Sequence, residues 1–181
     1  MTESESIRPD TSDMLAAHKL FRVSLASAPA LVESAAGDDV RRALVANYYA
    51  QLLAFLEVHH DGEEEHLFPL LIERAPGDRE TVDRAIEQHH QLVALLGAAK
   101  TSAAAWGVKG DSAGPDVVSN LGELEEFLSA HLDQEEETIL PLATEHVTVE
   151  EWRMLARHSR ANSSPGALLG LCLRLLLNIA P

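Results

Sequence analysis

A segment that occurs twice, 72 residues apart, limits the possible folds of this 181-residue chain more than any other feature. The first copy runs from His59 to Pro69 and the second from His131 to Pro141, and each has a glutamate four residues after its histidine. Residues i and i+4 of a helix lie about 6 Å apart on one face. Each copy therefore presents an imidazole and a carboxylate to one point in space, and two copies predict one metal site built from two halves.

The composition favours helices and argues against two classes of partner. Hydrophobic residues make up 46% of the chain but aromatic residues only 4%, and the abundant Ala and Leu are strong helix formers. The formal net charge of −15 repels nucleic acids and anionic membranes. We therefore expect neither a nucleic acid nor a membrane as a partner.

The single cysteine and the apolar stretches indicate the compartment. Cys172 has no partner for a disulfide within the chain, so we expect a buried thiol in a reducing compartment. Residues 1–10 are polar and acidic, unlike a signal peptide. The most apolar stretch, residues 167–177, contains Arg174 and is too short to span a bilayer. These features predict a cytoplasmic protein.

The hydrophobic pattern predicts four long helices. The first starts near Thr11 and is kinked or ended by Pro29, and the second ends in the first copy of the repeat. The third runs from about residue 79 to 99, and a loose stretch rich in Gly, Ala and Ser, residues 101–115, leads to the fourth. Four amphipathic helices joined by turns predict an all-α, antiparallel up-down four-helix bundle.

The predicted domain is flanked on both sides. Residues 1–10 are expected to be flexible, residues 11–145 to form the bundle, and residues 146–181 to form a C-terminal helical extension. That extension starts with a capping-box pattern at Thr148 and ends in an apolar helix. An apolar helix must be covered by the bundle or by a partner subunit, so we expect a monomer or a homodimer.

The repeat itself selects the inward residues of the second and fourth helices. Aligning the two prolines places His59 on His131 and Glu63 on Glu135. The same alignment places His60 on an apolar residue, Leu132. We therefore expect His60, and Glu64 four residues after it, to flank the site rather than to form it. A run of glutamates is usually solvated, so Glu64 itself, Glu65, Glu136 and Glu137 also fit a solvated helix face.

The first and third helices should complete each half of the site. The first helix has one histidine, His18, among apolar neighbours, and the third has His89 and His90. The strict 72-residue offset from His18 points to His90, whereas the apolar stripe of Ile86, Val93 and Leu96 points to His89. We favour His89, because loop lengths shift a register more easily than core faces do. The other three histidines, His66, His146 and His158, are expected at the surface.

These residue types predict a redox metal centre. Imidazole suits iron, zinc and copper, and carboxylate favours harder ions. Two carboxylates from opposite helices can bridge two metals that lie ~3.5–4 Å apart. Two iron ions would keep open positions for an oxo or hydroxo bridge, water, dioxygen, peroxide or nitric oxide. The candidate ligands are His18, His59, Glu63, His89, His131 and Glu135.

Over roughly residues 12–145 the chain resembles the hemerythrin-like (HHE cation-binding) family, in its H-HxxxE-H-HxxxE subset. The resemblance implies a four-helix bundle with a non-haem di-iron centre. It implies that His18 and His59 hold one iron, that His89 and His131 hold the other, and that Glu63 and Glu135 bridge them.

The chain departs from oxygen-carrying hemerythrins at two positions. Val93 stands where those proteins have a second histidine on the third helix, and Glu135 stands where they have a bridging aspartate. The site thereby loses an imidazole and gains symmetry. These departures point away from simple oxygen carriage and towards oxygen or iron sensing, or towards handling of peroxide and nitric oxide.

The expected function is therefore a di-iron protein that binds or reacts with O2-derived species or nitric oxide. If it is an enzyme, it is an oxidoreductase of the peroxidase or NO-peroxidase type. The alternatives are a sensing or binding module without turnover, and iron storage. Tyr48 and Tyr49 precede His59 by about three turns, roughly 15 Å along the helix. We expect them to line an entry channel or to donate to a bound oxygen species rather than to ligate the metal.

Overall fold

The computed structural model describes residues 8–163, and within that range the chain is built from α-helices without any strand. The helices are α1 (Ser12–Ala26), α2 (Ala28–Glu33), α3 (Asp39–His66), α4 (Phe68–Arg74), α5 (Arg79–Lys109), α6 (Gly114–Gln134), α7 (Leu140–His146) and α8 (Val149–Asn162). Single 3-10 turns at Pro76–Asp78 and Asp111–Ala113 precede α5 and α6. The apolar helix expected at residues 167–177 and Cys172 lie outside the described residues.

Four of these helices, α1, α3, α5 and α6, form the predicted bundle. Both α1 and α5 contact α3 and α6. The paired motifs lie near the C-terminal ends of α3 and α6, whereas His18 and His89 lie in the N-terminal halves of α1 and α5. Site residues at opposite ends of successive helices require those helices to alternate in direction. The predicted all-α, antiparallel bundle is confirmed.

The core consists of two apolar clusters with a layer of buried polar residues between them. On α3, members of the larger cluster such as Leu52 and Leu56 precede His59, and Leu67 of the smaller cluster follows the motif. On α5 the order is reversed: Val82 of the smaller cluster comes before His89, and the larger cluster follows it. The polar layer is therefore enclosed by hydrocarbon at both ends.

Both copies of the repeat end in a change of helix geometry at their prolines. The helix α3 stops at His66, and α4 starts at Phe68 with Pro69 in its first turn. In the second copy, Glu135–Ile139 forms a π-helical turn before α7, whose first turn contains Pro141. Proline lacks the N–H that an α-helix needs and clashes with the carbonyl four residues earlier. The α-helix is thus interrupted before the proline in each copy, and in the second copy the π-helical turn begins at the motif glutamate, Glu135.

Two details of the third predicted helix were wrong. The stretch 101–115 is not loose, because α5 continues to Lys109, and Gly110 with φ +83 ends it. Its alanines favour the helix, and Trp106 is buried in the core. The predicted inward position of Val93 was also wrong, since this side chain is 69% exposed and Leu92 takes the buried place. On this part of α5 the next inward residue after His89 is therefore three positions along the helix, at Leu92, rather than four.

The break expected at Pro29 is present, and it is followed by a helix that the sequence pattern did not predict. The helix α1 ends at Ala26, and Pro29 lies in the first turn of α2. This short helix contacts α3 and α6 and buries Ala28 and Leu31. The chain therefore covers one end of the larger apolar cluster before α3 begins.

The helix α8 packs on α3 at the level of the polar layer. Thr148 and Glu151 form the expected capping box, and Trp152 and Leu155 are buried. A Cβ on Gly62 of α3 would stand 3.3 Å from Cδ2 of His158, so the two helices approach closely at this glycine. The expected packing of the C-terminal apolar helix against the bundle or a partner subunit concerns residues beyond 163 and stays a prediction. Among residues 8–163, no helix combines the length and hydropathy that crossing a membrane requires.

Candidate metal centre

The layer between the apolar clusters holds seven buried ionisable side chains, which we call the cage. Each of them is at most 6% exposed. Charged and ionisable residues are seldom buried unless they are paired or bind metal. The cage consists of His18, His59, His60, Glu63, His89, His131 and Glu135.

Glu63 lies between two histidines from different helices. Its Oε1 is 3.5 Å from Nε2 of His59, and its Oε2 is 3.6 Å from Nε2 of His89. One carboxylate therefore faces an imidazole of α3 with one oxygen and an imidazole of α5 with the other.

Glu135 occupies the corresponding place on the opposite side. Its Oε2 is 3.4 Å from Nε2 of His131 and 3.6 Å from Nε2 of His18, and its Oε1 is 3.6 Å from Nε2 of His89. The two carboxylates thus connect imidazoles of all four bundle helices. This is the arrangement that a pair of bridging carboxylates requires.

The ligand atoms fall into two groups, within each of which all atoms lie within 4.8 Å of one another. The first group is His18, His59, Glu63 and Glu135, and the second, the three-histidine group, is His60, His89 and His131. The structure therefore brings together all six side chains that the sequence singled out as ligands. Which ion each of them binds stays a prediction.

Hydrogen bonds from outside the cage orient three of the imidazoles. Nδ1 of His18 donates to Glu136 at 3.0 Å, Nδ1 of His89 donates to Glu64 at 3.0 Å, and Nδ1 of His131 donates to Gln88 at 2.9 Å. With the proton held at Nδ1, the lone pair of Nε2 points into the cage. Such outer partners are the usual support of a metal-binding histidine.

Two of these supports were missed in the sequence. Glu136 was expected to be solvated, but it is only partly exposed and accepts from both His18 and Arg22. Gln88 belongs to no motif of the sequence. The signal was present in the repeat, because Glu64 and Glu136 each follow a cage glutamate by one residue. For Gln88 no sequence signal existed, since its contact depends on how α5 meets α6.

The cage has an unusual number of polar atoms without hydrogen bonds. They include Nε2 of all five histidines, Oε2 of Glu63 and both side-chain oxygens of Glu135. Buried polar groups are nearly always paired. The nitrogen–oxygen separations of 3.4–3.6 Å are long for hydrogen bonds but suit atoms that ligate one ion at roughly 2.1 Å. The residues therefore fit a bound cation.

Electrostatics also prepare the imidazoles for a metal. Burial, reinforced by the neighbouring His18, lowers the pKa of His59 to about 3. Burial likewise lowers the pKa of His60 well below its usual value and that of His131 to about 4, with His89 adding to both shifts. These three imidazoles are neutral at pH 7, so they can bind a cation without first losing a proton.

The two carboxylates of the cage differ from each other. Burial, together with the charge of Glu135, raises the pKa of Glu63 well above its usual value. Burial also acts upward on Glu135, but His131, its contact with His89, and His18 outweigh it and lower the pKa to about 2. Glu135 thus carries the negative charge that attracts a first cation.

His60 is placed differently from its predicted flanking position. It is buried to the same extent as His59, and its ring centroid lies 4.3 Å from that of His89. The alignment with Leu132 had treated the two halves of the site as equal, but they are not. The burial of His60 was not predicted, because its counterpart in the second copy of the repeat is apolar.

Other residues considered from the sequence lie away from the cage. His90 is exposed, whereas its neighbour His89 is inside. The hydroxyls of Tyr48 and Tyr49 donate to Oγ and O of Ser24 at 2.6 and 3.0 Å, and Ser24 is about 9 Å along α1 from His18. A role for either tyrosine in ligand entry stays a prediction.

The histidines expected at the surface are half-buried. The rings of His66 and His158 meet at 5.2 Å between α3 and α8. Glu65 lies 3.5 Å from each of them. The two imidazoles therefore lie in the contact between the two helices, whereas Glu65 is mostly exposed.

Two clefts reach the cage from opposite sides of α3. The α8 cleft, about 440 Å³, has a mostly apolar wall and touches the cage at His59; it is lined by Met14, Ala17, Phe55, Trp152 and Leu155 among others. The α5 cleft, about 330 Å³, touches the cage at His60 and His89 and is lined in part by Glu64, His90 and Lys100. Both are suited to small molecules rather than to large substrates.

Fold and site together define a metal-binding helical bundle, and comparison with known families gives the same answer. The hemerythrin HHE cation-binding domain matches residues 10–143, and the chain belongs to this family. The family predicted from the motifs is thereby confirmed, and with it cation binding, for which iron is the expected metal. No curated protein and no solved structure matches the chain.

Proposed function

We propose that this protein is a non-haem di-iron protein that reacts with peroxide or nitric oxide at the cage. The observation that carries the proposal is the position of Glu63, whose two oxygens face imidazoles of different ligand groups. A carboxylate placed in this way can bridge two ions. Glu135 repeats the arrangement from the other side, because its Oε2 faces His18 of the first ligand group and its Oε1 faces His89 of the second.

The donor set suits iron. Imidazole nitrogens combined with carboxylate oxygens bind a borderline ion, and the family match makes iron the expected metal among those that such a set accepts. A bound iron pair would supply the two electrons that turn peroxide and two protons into two waters. An external reductant then restores the starting state.

The residues around the cage determine what reaches it. The lining of the α8 cleft up to His59 is mostly apolar, with the charged Asp13 and Arg160 also on its wall. Such a cleft suits a small neutral molecule such as nitric oxide, dioxygen or hydrogen peroxide. The α5 cleft carries Glu64 and Lys100, and these groups exchange protons with solvent. Glu64 and Glu136 keep the imidazoles of His89 and His18 oriented throughout.

A metal analysis combined with steady-state assays tests this proposal. Protein loaded anaerobically with ferrous iron should hold two irons per chain and consume peroxide or nitric oxide faster than the same amount of free iron. The variant Glu63→Gln should lose one iron and the activity, whereas His90→Leu, on the exposed face of α5, should retain both. One iron per chain in the wild type, or rates equal to free iron, would refute the proposal.

A second candidate function is sensing, which the position of α8 favours. Trp152 and Leu155 of α8 line the same cleft as His59, so a ligand at the cage and the packing of α8 share one space. Sensing predicts that iron removal or oxidation changes amide hydrogen exchange within Val149–Asn162 without turnover. Unchanged exchange there excludes sensing through this helix. Iron storage would instead show as metal that mild chelators remove quickly.

A further inference from the structure

We propose that His60 is a metal ligand, and that it joins His89 and His131 to give one half of the site a third imidazole. The inference rests on the proposed di-iron function and adds to it a fifth histidine ligand. It predicts two chemically different metal positions, one with three imidazoles and one with two.

The contacts of His60 support this role. Its ring centroid is 4.3 Å from that of His89 and 5.3 Å from that of His131. Its Nε2 is buried and has no hydrogen-bond partner, as is true of every other histidine in the cage. Its ligand atom lies within 4.8 Å of those of His89 and His131. A buried ring nitrogen without a partner is costly, and a shared cation would satisfy all three.

Helix geometry explains how two consecutive residues serve one site. Successive side chains on an α-helix point about 100° apart. On α3, His59 faces α1, with its ring 5.3 Å from that of His18, whereas His60 faces α5. The helix α3 therefore supplies one imidazole to each half of the cage.

The corresponding helix α6 does not do this. Next to His131 it has Leu132, which is fully buried in the larger apolar cluster. The twofold symmetry of the histidines is thus broken next to the shared ligand position, where α3 carries the imidazole of His60 and α6 carries the aliphatic side chain of Leu132. Leucine is therefore a suitable replacement for His60, because it is similar in size and already occupies the corresponding position, Leu132, on α6.

The decisive variant is His60→Leu, with His90→Leu as its matched control. Both histidines lie on the α5 cleft, but His90 is exposed and stands outside the cage. Each variant is loaded with ferrous iron, and its release to a chelator is followed together with the Mössbauer spectrum. The wild type and His90→Leu should show two different iron environments of equal amount.

For His60→Leu we expect one of the two irons to leave at least about tenfold faster. Loss of a residue that only supports a ligand already weakens metal binding by about that factor, and loss of a ligand should weaken it at least as much. The signal of that iron should change in the spectrum, and the other should be retained. Release rates and spectra equal to those of the wild type would overturn the assignment. So would a wild-type spectrum with a single iron environment.

A second measurement does not depend on the stability of any variant. In a crystal structure of the iron-loaded wild-type chain, anomalous scattering locates the metals. We expect Nε2 of His60 at roughly 2.1 Å from one of them, a usual metal–imidazole distance. Two irons with His60 beyond bonding distance would refute this inference and leave the proposed function intact. A chain that takes up no iron would refute both.

Discussion

Nδ1 of His89 on α5 donates a hydrogen bond to Oε1 of Glu64 on α3, at 3.0 Å. The equivalent bond on the other side of the cage joins His18 to Glu136, also at 3.0 Å. Each acceptor follows a cage glutamate by one residue. The repeated motif therefore supplies both the carboxylate that faces the metal and the carboxylate that orients a histidine of a neighbouring helix.

Glu64→Ala should weaken iron binding about tenfold or more, because His89 would lose the partner that fixes its ring and tautomer. Glu137→Ala, at an exposed position of the second motif, should leave affinity unchanged. Competition with a calibrated chelator measures both. Equal effects of the two substitutions would show that only net charge matters and that the hydrogen bond does not.

Glu63→Gln should stabilise the metal-free protein while reducing its stabilisation by iron. The wild-type carboxyl is 2% exposed, and burial opposes its charge. A glutamine amide is neutral and can donate to an imidazole nitrogen, so we expect a gain of at least about 1 kcal/mol, or roughly 2–4 °C in Tm. Glu126→Gln, on the exposed face of α6, serves as the control. A metal-free Glu63→Gln protein that melts below the wild type would contradict this prediction.

Acidification from pH 6.5 to 5 should destabilise the metal-free protein. Burial lowers the pKa of His59 to about 3 and that of His131 to about 4, so below pH 6.5 the unfolded chain binds protons that the folded chain does not. Each such histidine removes up to about 1.4 kcal/mol per pH unit. The raised pKa of Glu63 acts in the opposite direction over this range but offsets only one histidine.

Urea unfolding of chelator-treated protein at several pH values measures this slope. In His59→Gln the slope should be smaller, because one of the depressed groups is missing. Stability that stays constant, or that rises on acidification over this range, would show that the cage histidines are not held neutral.

Two helical glycines should respond differently to alanine. Nothing lies within 4 Å of a Cβ at Gly97, whereas a Cβ at Gly62 would lie 3.3 Å from His158. Gly97→Ala should stabilise the protein by about 0.5–1 kcal/mol, the usual preference for alanine in a helix. Gly62→Ala should gain less, and hydrogen exchange in α8 should increase. An equal gain at both positions would mean that α8 does not approach α3 closely.

The sequence predicted the parts of this structure that depend on position within one helix. His59 and Glu63 share a face because they are four residues apart, and the repeat assigned His131 and Glu135 in the same way. His60 was misjudged because a sequence repeat cannot show that two halves of a site differ in their surroundings. Only the packing of α3 against both α1 and α5 makes two consecutive histidines face inward.

Other differences have equally local causes. The alanines after residue 99 are compatible with both a loop and a helix, and the burial of Trp106 decides in favour of the helix. Val93 and Leu92 are both apolar, so hydrophobicity alone could not select the inward one. The contact of Gln88 with His131 depends on the separation of two helices, which no single segment encodes.

The position of the cage between two separate apolar clusters has a consequence for cooperativity. Without a cation, the two apolar clusters are connected only by the helix backbones and by a layer whose inward polar atoms have no hydrogen-bond partners. The end that holds α4 and α7 can then melt before the end that holds α2. Bound iron would link the helices of both ends, so that the two ends unfold together in one calorimetric transition. The metal would then make the unfolding of the domain cooperative, in addition to its chemical role.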